Sequence, residues 1–277
     1  MSWRRLVRWL TPVAAVLGVF VLWGLAVRVF NVAAYVVPAH EDALRTIVND
    51  WDVLGPLTRT TVVETVIGFV VGAVVGFLLA VVMSRWAFVQ RVVYPVLVGS
   101  QAIPIVAIAF PITLILGFGL LPKVVIVAFI VFFPVVVNVL DGLASVDRDL
   151  LNLARIMNGR PARVFLLIEL PATLTPLFSG LKLGATYAVT GAVLGEWAAT
   201  TEAGLGTYLQ IQNSRLNTDA VYAAVLLLTA IGVAGFLLVL AAEHVATPWR
   251  TRATARRRRS SSVPMREDVS GGQGGQP

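Results

Sequence analysis

The chain is a succession of apolar runs, each long enough to cross a lipid bilayer, at residues 10–30, 60–83, 92–116, 122–140, 177–197 and 220–242. A hydrocarbon core about 30 Å thick is spanned by about 20 apolar residues in a helix. Lipid offers no partner to a backbone amide, so such runs must satisfy their own hydrogen bonds as helices. The expected fold is therefore all-α and polytopic, with about six transmembrane helices. Composition agrees: 57% of residues are hydrophobic and 13% charged, against about a quarter charged in soluble domains. The chain has no cysteine, which excludes disulfides, thiolate nucleophiles and cysteine-based metal sites. His40 and His244 are far apart and form no ligand motif. No catalytic, metal or cofactor site is expected, and the class of membrane enzymes finds no support.

Charge sets the orientation, because cytoplasmic loops collect Lys and Arg. The proposed inner segments, with the inner end of the fifth run, hold Arg4, Arg5, Arg8, Arg85, Arg91, Arg148, Arg155, Arg160, Arg163, Lys182, Arg250, Arg252, residues 256–259 and Arg266, 17 of the 22 basic residues. The other side holds Arg28, Arg45, Arg59, Lys123 and Arg215. Both termini are thus expected in the cytoplasm of a multi-pass plasma-membrane protein. A secretory signal peptide would have an apolar region of only about 7–15 residues; the first run is longer, so an uncleaved span is expected. Three segments follow: 1–57, a first span with an outer amphipathic stretch; 58–242, the main transmembrane domain; and 243–277, a basic tail expected to be disordered. Its arginines suit anionic lipid headgroups better than nucleic acid.

Within this frame several residues carry information. AHEDALRTIVNDW places Ala43, Leu44, Ile47, Val48 and Trp51 at helical spacing, predicting an amphipathic helix at the outer surface. Gly68, Gly72 and Gly76 share one helix face, where another helix can approach closely. Pro95, Pro104 and Pro111 fall in one span and predict a bent or broken helix, either lining a pathway or simply kinked for packing. Gln101, one turn before Pro104, and Tyr187 are polar candidates on a path, with helix–helix hydrogen bonding as the competing role. Glu64, Glu196 and Lys182 lie near span ends and are expected at the interface. For Glu196, beside Trp197, a place at the outer gate or substrate path stands level with a headgroup-level position.

The remaining polar interior segment is 141–176, DGLASVDRDLLNLARIMNGRPARVFLLIELPATLTP. Asp147 or Ser145 is a helix cap, with Asp149 well placed in the first turn. Asn158-Gly159 is a stop, since both tolerate the left-handed conformation. Pro161 suits the start of a second helix, expected to end at about Leu170, before Pro171 and Pro176. The reading is two short helices around a sharp corner.

At this point the chain resembles the membrane subunits, or permeases, of binding-protein-dependent ABC importers. Their cytoplasmic loop carries Glu-Ala-Ala, three residues, Gly, nine residues, Ile, any residue, Leu, Pro. Here Asn152, Leu153 and Ala154 fall on Glu-Ala-Ala, Asn158 on the glycine, and Ile168, Leu170 and Pro171 on Ile, Leu and Pro. QAIPIVAIAFPITLILGFG and GEWAATTEAGLGTYL resemble the third and fifth spans of the nitrate, sulfonate, taurine and thiamine-precursor group, most of all its pyrimidine-precursor branch. The resemblance implies a type I importer permease moving a small polar organic solute, such as a thiamine-precursor pyrimidine, sulfonate or taurine, by alternating access. It implies three partners besides the bilayer: a cytoplasmic ATPase dimer, a second permease subunit in a homodimer, and an extracytoplasmic solute-binding protein. The ATPase-coupling residues would be Asn152, Leu153, Ala154, Arg155, Asn158, Gly159, Arg160, Pro161, Ile168, Leu170 and Pro171, and the path candidates Gln101, Pro104, Tyr187 and Glu196. The chain carries no Gly-rich Lys-Ser/Thr phosphate loop, so ATP hydrolysis belongs to a partner. The alternative is a secondary transporter or channel, which would use intramembrane charges as coupling groups.

Overall fold

A computed structural model describes residues 18, 21–25, 27–30, 33, 36–199 and 203–248. All regular structure in them is helical. In chain order the helices are α1 (His40–Asn49), α2 (Trp51–Arg85), α3 (Ala87–Ser100), α4 (Ile105–Leu116), α5 (Leu120–Ala144) and α6 (Arg148–Ile156). Then follow α7 (Pro161–Ala198), α8 (Leu205–Ser214) and α9 (Thr218–Ala246). Among the described residues α2, α5, α7 and α9 are long and apolar enough to cross a membrane. Helices α3 and α4, bent by 103° at their junction, make a fifth span if taken together. About half of the expected first span lies outside the described residues. Its residues 21–25 and 27–29 are helical, and the Trp23 ring packs 5.4 Å from that of Tyr222 on α9. The basic tail beyond residue 248 lies outside them altogether.

Helix α5 is the centre of the bundle, held between α2 and α7. Its Val127, Val131, Val135 and Val139, one turn apart, are fully buried. The glycine face expected on α2 receives it: a Cβ added to Gly68 would lie 2.4 Å from Val127 Cβ, and one on Gly76 2.8 Å from the Phe132 carbonyl. A second glycine face, which sequence reading missed, covers α5 from α7. There a Cβ on Gly180 would stand 2.8 Å from the Pro134 carbonyl and one on Gly191 2.9 Å from Val127 Cα. Close backbone approach lets dispersion contacts hold helices that lipid itself gives no hydrophobic reason to associate.

Several expected boundaries move. Helix α2 begins at Trp51 rather than residue 60, and α5 runs to Ala144, so Asp141 belongs to a helix. Arg91 lies inside α3. The second loop helix does not end near Leu170: it continues through Pro171 and Pro176 as the 38-residue α7. A π turn at Phe165–Glu169, with the Leu170 N–H bonded to the Phe165 carbonyl, precedes Pro171. The wide turn shifts the hydrogen-bond register just where proline lacks a donor, so the helix tolerates it. Helix α9 likewise passes the expected boundary at 242/243, because Glu243 is buried and its carboxylate accepts from Lys182 Nζ of α7 at 2.9 Å. The amphipathic α1 forms as expected. Ala43 is buried and Ile47 packs near Leu54, while Leu44, Val48 and Trp51 remain exposed.

Candidate functional site

The end of the bundle that carries α6 is built from local signals. The Asp147 carboxylate accepts the Asp149 N–H at 2.8 Å and caps α6. At the other end Asn158 takes φ +57°, the left-handed conformation. Its N–H bonds to the Arg155 carbonyl at 3.0 Å and the Gly159 N–H to that of Ala154 at 2.9 Å. This pair of bonds is a Schellman stop with Asn in the glycine's place. Gly159 is needed for space instead, since a Cβ there would meet the Ala154 carbonyl at 2.8 Å. Arg160 is extended and Pro161 opens α7.

The corner is fastened to the bundle by Arg85 at the end of α2. Its guanidinium makes a two-pronged contact with the Glu169 carboxylate and lies 4.9 Å from the centre of the Phe165 ring. Sequence reading missed this bond, because its partners are far apart along the chain. Asn152, Leu153, Arg155, Asn158, Gly159, Arg160 and Pro161 are exposed, whereas Ala154, Ile168, Leu170 and Pro171 are half-buried and anchor the corner. Around it Leu150, Leu153, Ile156 and Met157 stand 51–82% exposed beside four arginines. This is an apolar face with a basic surround, raised at one end of an apolar bundle.

A cavity of about 600 Å³ opens midway along the bundle, at the break between α3 and α4. The break falls at Pro104 alone; Pro95 and Pro111 sit inside α3 and α4. Tight turns, Ala102 N–H to Gly99 carbonyl at 3.1 Å and Ile103 N–H to Ser100 carbonyl at 3.2 Å, wind up the end of α3 before Pro104 restarts the chain. Gln101, Pro104 and Tyr187 all line this cavity, with Asn138 and Thr190. Three of the four path candidates thus meet at one place.

Glu196 is elsewhere. It is fully buried at the opposite end of the bundle from α6, under the start of α8. Its carboxylate accepts from Thr61 Oγ1 at 2.7 Å and from the Thr207 N–H at 2.9 Å. Thr61 Oγ1 in turn accepts the Leu205 N–H at 2.9 Å, and Trp197 Nε1 donates to the Gly206 carbonyl at 2.9 Å. Gly204 is required by proximity, since a Cβ there would stand 2.3 Å from Glu196 Oε1. The arrangement clamps α2, α7 and the α8 N-terminus together, with the carboxylate where the helix dipole favours it. Burial, with Asp50 nearby, raises the phenol of Tyr208 in α8 above its ordinary 10.0. The headgroup-level position does not hold for Glu196, nor for Glu64, which is fully buried and bonded to Lys123 Nζ at 2.7 Å. Lys182 is partly buried in its pair with Glu243.

Removing the Glu196 acceptor breaks its bonds to Thr61 of α2 and to the Thr207 N–H of α8 at once. Glu196→Ala is expected to lower stability by about 2–4 kcal/mol and to shift Trp197 fluorescence as α8 lifts. Unfolding and emission spectra in detergent check this; an unchanged spectrum and midpoint would remove the clamp.

Thr61, Asn138 and Thr190 had a faint sequence signal, as isolated polar residues in apolar spans. Their partners and placement are not readable from a linear pattern. No cluster of potential metal ligands occurs among the described residues.

Residues 72–248 match the family described as "Binding-protein-dependent transport system inner membrane component". The chain is 32% identical over 227 residues to a "Probable ABC transporter permease protein" of Haemophilus influenzae, covering 82% of this chain and 92% of the relative. It is 30% identical over 244 residues to the "Formylaminopyrimidine transport permease protein ThiX" of Halalkalibacterium halodurans, covering 88% and 97%. The "Riboflavin transport system permease protein RibX" of Chloroflexus aurantiacus is 34% identical over 165 residues, 60% of each chain.

Proposed function

The chain belongs to the family of binding-protein-dependent transport system inner membrane components, and from that membership we propose how its parts divide the work of an ATP-driven importer. It is a membrane protein and the permease component of binding-protein-dependent ABC transport. Its relatives are transport subunits rather than enzymes.

The observation that carries the proposal is the α6 corner. A capped helix, a left-handed stop at Asn158 and a bond from Arg85 to Glu169 present an exposed apolar face as one rigid body. Such a face, ringed by Arg148, Arg155, Arg160 and Arg163, suits insertion into a groove of a cytoplasmic ATPase. Because α7 continues from the corner through its π turn as one helix, a push on α6 travels along it toward the cavity and α8. The basic ring also favours a cytoplasmic place for this end, and with it both termini. Gln101, Tyr187 and Thr190 are exposed polar side chains at mid-bundle, where facing lipid would be costly. A second copy of the permease across the cavity, enclosing a path between them, removes that cost. The α8 end then receives the solute-binding protein. The solute belongs with those of the relatives, a small polar organic molecule such as formylaminopyrimidine or a sulfonate. A secondary transporter would use charges facing the path, yet Glu64, Lys182 and Glu196 are all engaged within the bundle.

Deleting residues 150–163 is expected to abolish co-purification of the ATPase and ATP-dependent uptake while leaving membrane insertion intact. An ATPase still retained by the deleted protein would end the docking proposal.

A further inference from the structure

The hydrogen-bonding inventory of the mid-bundle cavity selects a class of solute, an inference that rests on the permease reading above. Among the described residues, no Lys, Arg, His, Asp or Glu side chain lines it. Its walls are the rings of Phe129, Phe133 and Tyr187 with Pro104 and Pro134, and its polar groups are all neutral. One of them has a fixed direction. Asn138 Nδ2 donates to the Pro134 carbonyl at 2.8 Å on α5. A carbonyl only accepts, so the amide must turn its NH2 there and leave Oδ1 as the end open to a ligand. Among the described residues that oxygen, the Gln101 amide, the Tyr187 phenol and the Thr190 hydroxyl have no hydrogen-bond partner in the chain.

We propose that this cavity is a selectivity site for an uncharged, planar heterocycle bearing an N–H donor, with Asn138 Oδ1 accepting that hydrogen and Gln101, Tyr187 and Thr190 completing the polar contacts. The volume of about 600 Å³ falls within the range of small-molecule sites, about 300–1,000 Å³. Aromatic walls favour a flat ring. A sulfonate entering the same space would leave its hydration shell for walls without a cation or charged donor, a transfer these residues do not offset. The binding protein chooses the solute first, and the cavity then rejects anions a second time.

The test uses the complete importer in proteoliposomes, with binding protein outside and ATP inside. Labelled 4-amino-2-methylpyrimidine and labelled methanesulfonate are the probes. Because the binding protein is the same throughout, differences between permease variants report on the permease. Pyrimidine uptake is expected to exceed sulfonate uptake at least tenfold. Asn138→Leu should reduce pyrimidine uptake about tenfold, the scale of a lost hydrogen bond to a desolvated group, in a complex that still co-purifies. The near-isosteric Thr190→Val, which puts little strain on folding, should reduce it about threefold. Comparable carriage of methanesulfonate, or unchanged uptake by both variants, would each overturn the proposal while leaving the permease reading intact. Failure of that reading is separate: the wild-type chain would then assemble with no ATPase.

Discussion

Lys123→Ala is expected to destabilise the folded permease by about 3–5 kcal/mol, the scale for breaking a buried ion pair from one side. The Lys123 and Glu64 side chains are both fully inaccessible, with Nζ 2.7 Å from the carboxylate. The lysine stem is trapped between α2 and α7: a Cβ on Gly195 would stand 3.0 Å from Lys123 Cα. Loss of the ammonium strands a buried carboxylate between packed helices. Replacing both partners tests the cause. Lys123→Met combined with Glu64→Leu removes the charges together and should recover most of the loss, because such pairs are often matched by apolar residues of similar volume. Thermal unfolding of the purified protein in detergent measures both. A single variant as stable as the wild type, or a double variant no better than the single, would show that the pair does not hold α2 to α5.

The second large effect comes from the glycine face. In Gly72→Ala the new Cβ would lie 2.6 Å from the Ala128 carbonyl oxygen and 2.9 Å from its Cα. Both are backbone atoms of α5, so no rotamer change relieves the contact and α2 must move as a body. Overpacking of this kind costs about 1–3 kcal/mol, and here it also draws apart a face shared with Gly68 and Gly76. The control is Gly99→Ala in α3, where nothing lies within 4 Å of the added carbon. That change should be neutral or stabilise by up to about 1 kcal/mol, the difference between glycine and alanine in a helix. Equal midpoints for the two variants would contradict the packing derived for α2 and α5.

Local features proved legible to the extent that their causes are local. Asp147 caps α6, Asn158 turns left-handed, Pro161 opens α7 and Pro104 breaks the third run, because each depends on the stereochemistry of a few neighbouring residues. Pro171 shows the limit. A proline predicts a helix end, yet a π turn just before it lets α7 continue, and nothing in the local composition announces that turn. Glu196 shows another. Its place near a span end gave equal standing to a gate and an interface; the structure buries it in a contact between helices, because Thr61, more than a hundred residues earlier, folds back to meet it.

The sequence by itself determined that this chain is a helical membrane protein with one polar corner, since bilayer thickness, backbone hydrogen bonding and charge asymmetry act on runs of residues whatever their neighbours in space. Only the tertiary structure decided which glycine face meets which helix, that the buried charges engage one another, and that Gln101, Tyr187, Asn138 and Thr190 converge on one uncharged cavity. Those outcomes depend on distances between residues remote in the chain, which helix packing sets and no linear pattern encodes.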